Sequence, residues 1–457
     1  MATDMSSFET ESIKNGCKIT KVIGRPTGRL EIPMTIDGEC VCEIADYAFA
    51  WCKCLEVVIP EGVTKIGKAA FLYSDVEKVT LPSTLKEIGI RAFFRSSLQE
   101  VTISKGVENI GMGAFSRSAI TRFTVDEENA VYCSVDGVLC SKDNTILHVV
   151  PYGITKLEIS EGVETIAECA SVGNSKLASV VFPTTLNEIQ DCAFAHCKAL
   201  ETVTFPVDME MSYIGRGAFL QCHALTACHI PNGVWCISGF AFAGCGKLRQ
   251  LTLPSSLTTI ESRAFTACKS LTSLEISEGI EEIGEMAFLG CTSLASLKMP
   301  ELEILGENVD GSEIKRELVF LGCPAVPEAE EMFTEYTIEL FCPRCGISRE
   351  WTVESVEDML TAYDYTADPI FDGERDYEEC SYCYACPALD AIECDYGDFD
   401  DIAFFDVTLG CDPHNAEIES ELEREAFNDD DGDDDDDNDD EDNDNDGLIT
   451  ASEFFGL

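Results

Sequence analysis

Apolar and polar positions recur along the chain in one repeated unit, and the dipeptide Ala-Phe marks most of its copies. A clean copy is LRQLTLPSSLTTIESRAFTAC, from Leu248 to Cys268. The unit returns about every 22 or 23 residues, a period typical of solenoids built from stacked repeats. One unit cannot bury its own apolar face, so neighbouring units are predicted to stack on one another. The phenylalanines that mark the units are Phe49, Phe71, Phe93, Phe115, Phe194, Phe219, Phe242, Phe265 and Phe288.

Each unit is predicted to contribute two short β-strands. One is the apolar-x-apolar-Pro segment, such as Leu251–Pro254, and the other surrounds an Ile such as Ile260. The Ala-Phe-x-x-Cys piece is predicted to form one helical or 3₁₀ turn. Alternate strand residues should project outward, as we expect for Gln250, Thr252, Ser273, Glu275, Ser296 and Lys298. The predicted fold class is therefore a β-rich repeat solenoid of about eleven coils.

The pattern divides the chain into segments. The predicted domains are an N-terminal cap (1–29), the solenoid (30–324) with a hairpin insertion at about 121–156, a cysteine-rich domain (325–412), an acidic linker (413–441) and a calcium loop (442–457). Within the insertion, Asp136-Gly137 between two apolar runs predicts a tight hairpin turn. The aspartate-rich tail that begins near Asn428 is predicted to be a disordered, solvated polyanion.

The recurring motif resembles the BspA-like, or Treponema pallidum-type, leucine-rich repeat family. The shared pattern is L-x-x-L-x-[IL]-P-x-x-[LV]-x-x-I-x-x-x-A-F-x-x-C, and the insertion ending DGVLCSKDNTILHVVPYG is also similar to that family. The resemblance covers about residues 8–324. It implies a curved solenoid used for protein–protein contact or attachment, often at a cell surface.

Charge narrows the choice of partner. The net charge is −54, which would repel nucleic acid and anionic membranes and favours cations or basic proteins. No apolar stretch is long enough to cross a bilayer. The N-terminal residues MATDMSSFETESIKNG lack the basic and apolar regions of a secretory signal. We therefore expect a protein partner, no nucleic acid, no membrane insertion and an intracellular, cytoplasmic location.

Cysteine is frequent, with 24 residues in the chain, and part of it belongs to the repeat. At one position, three residues after the Phe, a small side chain is predicted to stack on its equivalents in neighbouring coils. We interpret these residues as reduced thiols rather than disulfides. They are Cys52, Cys197, Cys222, Cys245, Cys268 and Cys291.

The C-terminal segment DNDNDGLITASEF resembles an EF-hand calcium loop. Ca²⁺ takes six to eight oxygen ligands, and this spacing turns alternate carboxylates inward around a Gly. The predicted calcium ligands are Asp442, Asp444, Asp446, Leu448 through its carbonyl, Thr450 and Glu453. The alternative is an acidic tail that matches the motif by chance, since aspartates occupy the place of the entering helix and no second loop is visible.

Two Cys-x-x-Cys pairs lie between the repeats and the tail. Four thiolates fit tetrahedral Zn²⁺ in a closed, structural site. The candidate ligands are Cys342, Cys345, Cys380 and Cys383. The first pair is flanked by Tyr336–Phe341 and Trp351–Val353, a predicted hairpin, which resembles a zinc ribbon. Free thiols or disulfides are the alternatives.

Catalytic motifs are lacking. There is no phosphate-binding glycine loop and no Gly-x-Ser-x-Gly elbow, and the pairs His196-Cys197 and Cys222-His223 lie on the structural repeat. The sequence therefore predicts a non-enzymatic protein-interaction scaffold with calcium bound at its C-terminus. Two alternatives stay open: a calcium-responsive regulatory adaptor, and an enzyme whose chemistry resides in the cysteine-rich domain.

Overall fold

The computed structural model describes residues 8–24, 26–206, 209, 211–300, 319–326, 336–341 and 348–353. Two columns of short, mostly parallel strands stack into a β-solenoid of about 12 turns. The chain divides into two units, one up to residue 333 and one from residue 334. Among the described residues, none belongs to a helix with the length and hydropathy of a membrane span. The predicted β-rich solenoid is confirmed.

The first column runs along the Ile of each repeat and contains two sheets. The seven-stranded sheet has β1 (Phe8–Ile13), β2 (Gly16–Val22), β4 (Thr35–Ile36), β5 (Glu39–Ile44), β7 (Lys65–Ile66), β9 (Glu87–Ile88) and β11 (Asn109–Ile110). The nine-stranded sheet has β13 (Tyr132–Val135), β14 (Val138–Ser141), β15 (Ile146–Val149), β17 (Thr165–Ile166), β19 (Glu188–Ile189), β21 (Tyr213–Ile214), β23 (Cys236–Ile237), β25 (Thr259–Ile260) and β27 (Glu282–Ile283).

The second column is made by the apolar-x-apolar-Pro segments. Its first sheet has β3 (Gly28–Glu31), β6 (Cys54–Val58), β8 (Lys78–Thr80), β10 (Glu100–Ile103) and β12 (Arg122–Val125). Its second sheet has β16 (Lys156–Glu158), β18 (Ser179–Val181), β20 (Thr202–Thr204), β22 (Ala227–His229) and β24 (Gln250–Thr252). A further pair consists of β26 (Ser273–Glu275) and β28 (Ser296–Lys298).

The N-terminal strands extend the first column rather than forming a separate fold. Strand β1 pairs antiparallel with β2, and β2 pairs parallel with β5. The ring of Phe8 is buried, with its centroid 6.4 Å from that of Phe49. Together β1 and β2 cover the end of the stack.

The predicted hairpin turn at Asp136-Gly137 is confirmed. Val135 pairs with Val138 across it, and both turn residues have positive φ, 53° for Asp136 and 89° for Gly137. Positive φ at both central residues defines a type I′ turn, whose twist matches that of the strands. Strand β15 then pairs parallel with β17, which returns the chain to the stack.

The Ala-Phe corner of each coil is a series of tight turns and forms no continuous helix. Leu72 N–H bonds the carbonyl of Ala69 within its own coil, whereas Phe71 N–H bonds that of Ala92 in the next coil, at 2.7 Å. Ala69 and Tyr73, two residues either side of the Phe, have φ of 51°. The three-residue hydrogen bonds agree with the predicted 3₁₀ geometry, but left-handed residues interrupt any helix.

The phenylalanine rings form two buried stacks. Successive centroids from Phe49 to Phe115 lie 4.9, 4.9 and 5.4 Å apart, and those from Phe194 to Phe320 lie 5.1 to 5.5 Å apart. Parallel stacks of this kind bury large apolar area at low entropy cost. The stacks are separated by the coil in which Ser171 takes the Phe position.

The second unit is described only at one hairpin, β29 (Tyr336–Phe341) and β30 (Ser348–Val353). The strands pair antiparallel in full register, from Tyr336 with Val353 to Phe341 with Ser348. The hairpin predicted beside the first cysteine pair is therefore present.

Candidate functional site

The predicted metal ligands fall outside the described residues. This holds for the calcium ligands Asp442, Asp444, Asp446, Leu448, Thr450 and Glu453, and for the zinc candidates Cys342, Cys345, Cys380 and Cys383. Among the residues that the structure describes, no group of three or more His, Cys, Asp or Glu side chains could hold a metal ion.

The repeat cysteines are buried thiols that link neighbouring coils. Cys222 Sγ donates to the carbonyl of Phe194 at 3.2 Å, and Cys245 Sγ donates to that of Phe219 at 3.3 Å. All cysteines in the described residues are free thiols. The predicted packing of these side chains against neighbouring coils is therefore confirmed for the described coils, where Cys222 and Cys245 pair a donor with a backbone acceptor.

The adjacent Cys and His residues do not form an activated nucleophile. Burial raises the pKa of the Cys197 thiol to about 12 and also raises the pKa of Cys222 well above its ordinary value. Burial, reinforced by the Arg117 charge, lowers the pKa of His196 well below its usual value. Nucleophilic catalysis needs a depressed thiol pKa or a base in contact, and these thiols instead donate to carbonyls.

The outward side of the second column is a regular surface, and its two halves differ in charge. In the first sheet, opposite charges alternate along one row, with Arg29, Glu56, Lys78, Glu100 and Arg122 in register. Arg29 and Lys78 lie 3.5 and 3.8 Å from the Glu56 carboxylate. Such exposed pairs compensate each other's charge along the row.

In the second sheet, the outward positions of β18, β20, β22 and β24 carry no Lys, Arg, Asp or Glu. We call this surface the neutral face. Its residues are Ser179, Val181, Thr202, Thr204, Ala227, His229, Gln250 and Thr252. Parallel pairing aligns them in two rows, because Ser179 lies opposite Thr202 and Ala227 opposite Gln250. Neighbouring strands are about 4.8 Å apart, so each row presents closely spaced polar groups.

The neutral face rests on a fixed base. The central residues of its strands point inward, where Val180 is fully buried and Cys228 is 3% exposed. The turns beyond the strands are tied from coil to coil. Thr184 donates to Glu161 through its backbone N–H, at 3.2 Å, and through its hydroxyl, at 2.8 Å. The face is therefore a preformed surface whose side chains alone can adjust to a partner.

The repeat pattern predicted the outward direction of these side chains correctly. Gln250, Thr252, Ser273, Glu275, Ser296 and Lys298 are all exposed. The neutral face itself was missed, because its absence of charge appears only when the register aligns one strand with the next. Aligning the repeat units and comparing their outward positions would have found it.

The stacked strands, the two phenylalanine stacks and the repeat period of 22 or 23 residues together define a leucine-rich repeat protein. The sequence profile described as "BspA type Leucine rich repeat region" matches residues 39–134, 151–234 and 212–309. The chain therefore belongs to the BspA-type leucine-rich repeat family, and the resemblance noted from the sequence is confirmed for the repeats.

Several solved structures of leucine-rich repeat proteins are similar to this chain at low identity. A leucine-rich repeat protein from Eubacterium ventriosum is 20% identical, covering 67% of this chain and 97% of its own, with a TM-score of 0.46. A leucine-rich cell surface protein from Faecalibacterium prausnitzii is 22% identical, covering 66% and 96%, with a TM-score of 0.38. The T. pallidum leucine-rich repeat protein is 23% identical, covering 59% and 91%, with a TM-score of 0.21. No curated protein sequence matches the chain.

Proposed function

We propose that this chain is a non-enzymatic scaffold that binds a protein partner on the neutral face. The carrying observation is the run of four strands without a charged outward residue, in a chain whose net charge is −54. Burying a charge in an interface requires compensation, whereas Ser, Thr and Gln side chains form hydrogen bonds at lower desolvation cost. Interface cores are depleted of charged residues for the same reason.

The partner that suits this face presents uncharged hydrogen-bonding groups of its own. A strongly charged surface would lose hydration there without gaining an opposite charge. The solenoid fold supports the proposal, since stacked repeats create extended surfaces for contact with other proteins.

Affinity capture from cells of the source organism tests the proposal. The face variant Thr204→Lys with Thr252→Lys adds two charges to the neutral face. The matched control, Asn187→Lys with Ser212→Lys, adds two charges to exposed positions in the first column. We expect proteins captured by the wild type to be retained by the control and lost from the face variant. Equal capture by both variants would refute this site.

We also propose that the C-terminal loop binds Ca²⁺ through Asp442, Asp444, Asp446, Leu448, Thr450 and Glu453. The support is the spacing of oxygen donors around Gly447, which is that of an EF-hand loop. Isothermal titration with calcium should give one site in the wild type and none in Asp442→Ala with Glu453→Ala. The control Asp433→Ala with Asp435→Ala changes the preceding tract and should keep the heat of the wild type. If the loop variant also keeps that heat, calcium binds to the acidic tract as a simple polyanion and not to the loop.

The zinc site is a further part of the proposal, with Cys342, Cys345, Cys380 and Cys383 as four thiolate ligands. Four protein ligands leave no open position for substrate, so this zinc would be structural. Native mass spectrometry with and without a chelator would count the ion. One zinc ion in the wild type that is absent from the double variant Cys342→Ser with Cys383→Ser would support the zinc site. No metal in the wild type would reject the zinc site.

A further inference from the structure

Two neighbouring thiols, Cys52 and Cys54, lie in the first coil of the solenoid, and packing accounts for only one of them. Cys52 takes the repeat cysteine position, and Cys54 begins strand β6 two residues later. In the next two coils Val76 and Leu98 fill the inward position of Cys54, and all three side chains are fully buried. An aliphatic side chain therefore suits this position, and the second thiol adds chemistry that packing does not require.

The hydrogen bonding of Cys52 differs from that of the repeat cysteines in later coils. There the thiol donates to a carbonyl of the preceding coil, as Cys268 does to Phe242 at 3.4 Å. Cys52 Sγ instead accepts the backbone N–H of Cys54 at 3.3 Å. A hydrogen bond donated to sulfur favours its charged form, the thiolate. The repeat position therefore holds an acceptor sulfur in the first coil.

The two thiols differ in their affinity for a proton. The hydrogen bond from the Cys54 side chain is the main cause that lowers the pKa of Cys52, and the Cys54 N–H and the Lys53 charge act in the same direction. Burial and the Asp75 carboxylate, which lies 3.4 Å from Lys53 Nζ, oppose this change. The hydrogen bond to Cys52, together with burial, raises the pKa of Cys54. Cys52 therefore ionises first, while Cys54 keeps its proton.

Cys52 is also more accessible than the other repeat cysteines named above. It is 7% exposed, whereas they are fully buried. Its neighbours Lys53 and Leu55 are exposed. A partly accessible thiol beside a cation is the setting in which cysteines react, whereas fully buried thiols are inert.

We propose that Cys52 and Cys54 form a thiol–disulfide exchange site that is oxidised by a low-molecular-weight disulfide. The Cys52 thiolate attacks one sulfur of the small disulfide, whose S–S bond breaks, and the departing thiolate takes up a proton. Cys54 then gives its proton to solvent and attacks the Cys52 sulfur of the mixed disulfide, which expels a second small thiol. The protein pair loses two electrons and two protons, and the small disulfide gains both to become two thiols.

Oxidation would change a contact of the first coil. Cys54 Sγ donates to the carbonyl of Pro26 at 3.2 Å, in the segment between β2 and β3. A disulfide sulfur has no proton to donate, so the Cys52–Cys54 bond removes this contact. An excess of a small thiol would restore it, because the exchange is reversible. The site is independent of the neutral face.

Peptide-resolved mass spectrometry tests the proposal in the full-length chain. An excess of dithiodipyridine is added to the reduced protein at neutral pH, and N-ethylmaleimide blocks the remaining thiols after increasing times. Trypsin cuts after Lys53, so a bond between Cys52 and Cys54 joins peptides 30–53 and 54–65. Fragmentation distinguishes this bond from one to Cys40 or Cys42, which lie in the first of these peptides.

The hairpin cysteines Cys133 and Cys140 are the matched reference within the same chain. They lie opposite each other in register. Burial raises the pKa of both, to about 12 for Cys140. We expect the Cys52–Cys54 bond to form about tenfold faster than any modification of the hairpin pair, because the thiolate is the reacting species. This comparison is made in the wild type and does not depend on the folding of a variant.

Substitutions separate the roles of the two thiols. Cys54→Ser should stop the reaction at the mixed disulfide, so that Cys52 keeps one thiopyridyl group. Cys52→Ser should remove the fast reaction, whereas the control Cys133→Ser with Cys140→Ser should leave it unchanged. Equal rates for Cys52 and the hairpin pair in the wild type would overturn the proposal. So would a Cys54→Ser chain in which Cys52 stays unmodified while the hairpin cysteines react.

Discussion

Cys245 Sγ donates a hydrogen bond to the backbone carbonyl of Phe219, one coil earlier, at 3.3 Å. In three coils of the first block the equivalent position is serine, and Ser74 Oγ donates to the carbonyl of Phe71 in its own coil at 2.9 Å. The longer reach of the C–S bond explains the difference. At this position cysteine therefore forms a hydrogen bond between two coils, whereas serine forms one within its own coil.

Replacing that thiol should weaken the stack by a modest amount. We expect Cys245→Ala to lower the free energy of unfolding by about 1–2 kcal/mol, from the lost hydrogen bond and the small cavity. Cys245→Ser should lose less, because its hydroxyl can bond the carbonyl of Phe242 as Ser74 bonds that of Phe71. Urea unfolding measures both. A larger loss for the serine variant than for the alanine variant would contradict this explanation.

Removing one ring of the phenylalanine stack should lower the free energy of unfolding by more than removing the thiol does. Phe242 is fully buried, and its centroid lies 5.1 Å from that of Phe219 and 5.3 Å from that of Phe265. Phe242→Ala is expected to lower the free energy of unfolding by roughly 3–5 kcal/mol and to expose the adjacent coils to protease. Gln250→Ala, on the exposed side of the same coil, is the control. Cleavage of Phe242→Ala only beyond residue 333 would argue against the phenylalanine stack as the support of the neighbouring coils.

Placing phenylalanine at position 171, where Ser171 separates the two phenylalanine stacks, should destabilise the chain. Ser171 is 3% exposed, and Phe123 and Phe182 present ring edges to Phe115 and Phe194 at 5.3 and 5.8 Å. The cavity beside Ser171 has a volume of about 10 Å³, room for one water at most. Ser171→Phe should cost about 1–3 kcal/mol through overpacking. A thermal unfolding midpoint above that of the wild type would show that the gap accepts a ring.

Alkaline pH should weaken the fold through its buried thiols. Burial raises the pKa of Cys228 to about 12, above the ordinary value of 9.0, and acts likewise on Cys197. The unfolded chain therefore releases these protons first, so stability is full below about pH 9 and falls as pH rises from there towards 12. Each such thiol contributes up to about 1.4 kcal/mol per pH unit, reached in the middle of that window.

Unfolding in urea at pH 8, 9 and 10, with a reductant present, measures this slope. Between pH 9 and 10, Cys228→Ala should lose about 1 kcal/mol less than the wild type, because it lacks one titrating thiol. Identical slopes for the two proteins would mean that Cys228 ionises equally in the folded and unfolded chains.

The sequence predicted the features that depend on periodicity and left out those that depend on register. Local spacing predicts three features that the structure contains: the phenylalanine stacks, the inward Cys positions and the turn at Asp136-Gly137. The left-handed residues at Ala69 and Tyr73 could not be predicted, because non-glycine residues adopt this conformation only when contacts between coils hold it. The neutral face likewise appears only after coils are aligned.

The most direct test of the scaffold is photo-crosslinking from single positions of the chain. A photoreactive amino acid at Thr204 lies on the neutral face, and one at Asn187 lies in an exposed position of the first column. A protein partner identified by capture should crosslink from Thr204 and not from Asn187, and excess unlabelled wild-type chain should abolish the crosslink. Crosslinking from Asn187 with none from Thr204 would contradict the assignment of the binding surface.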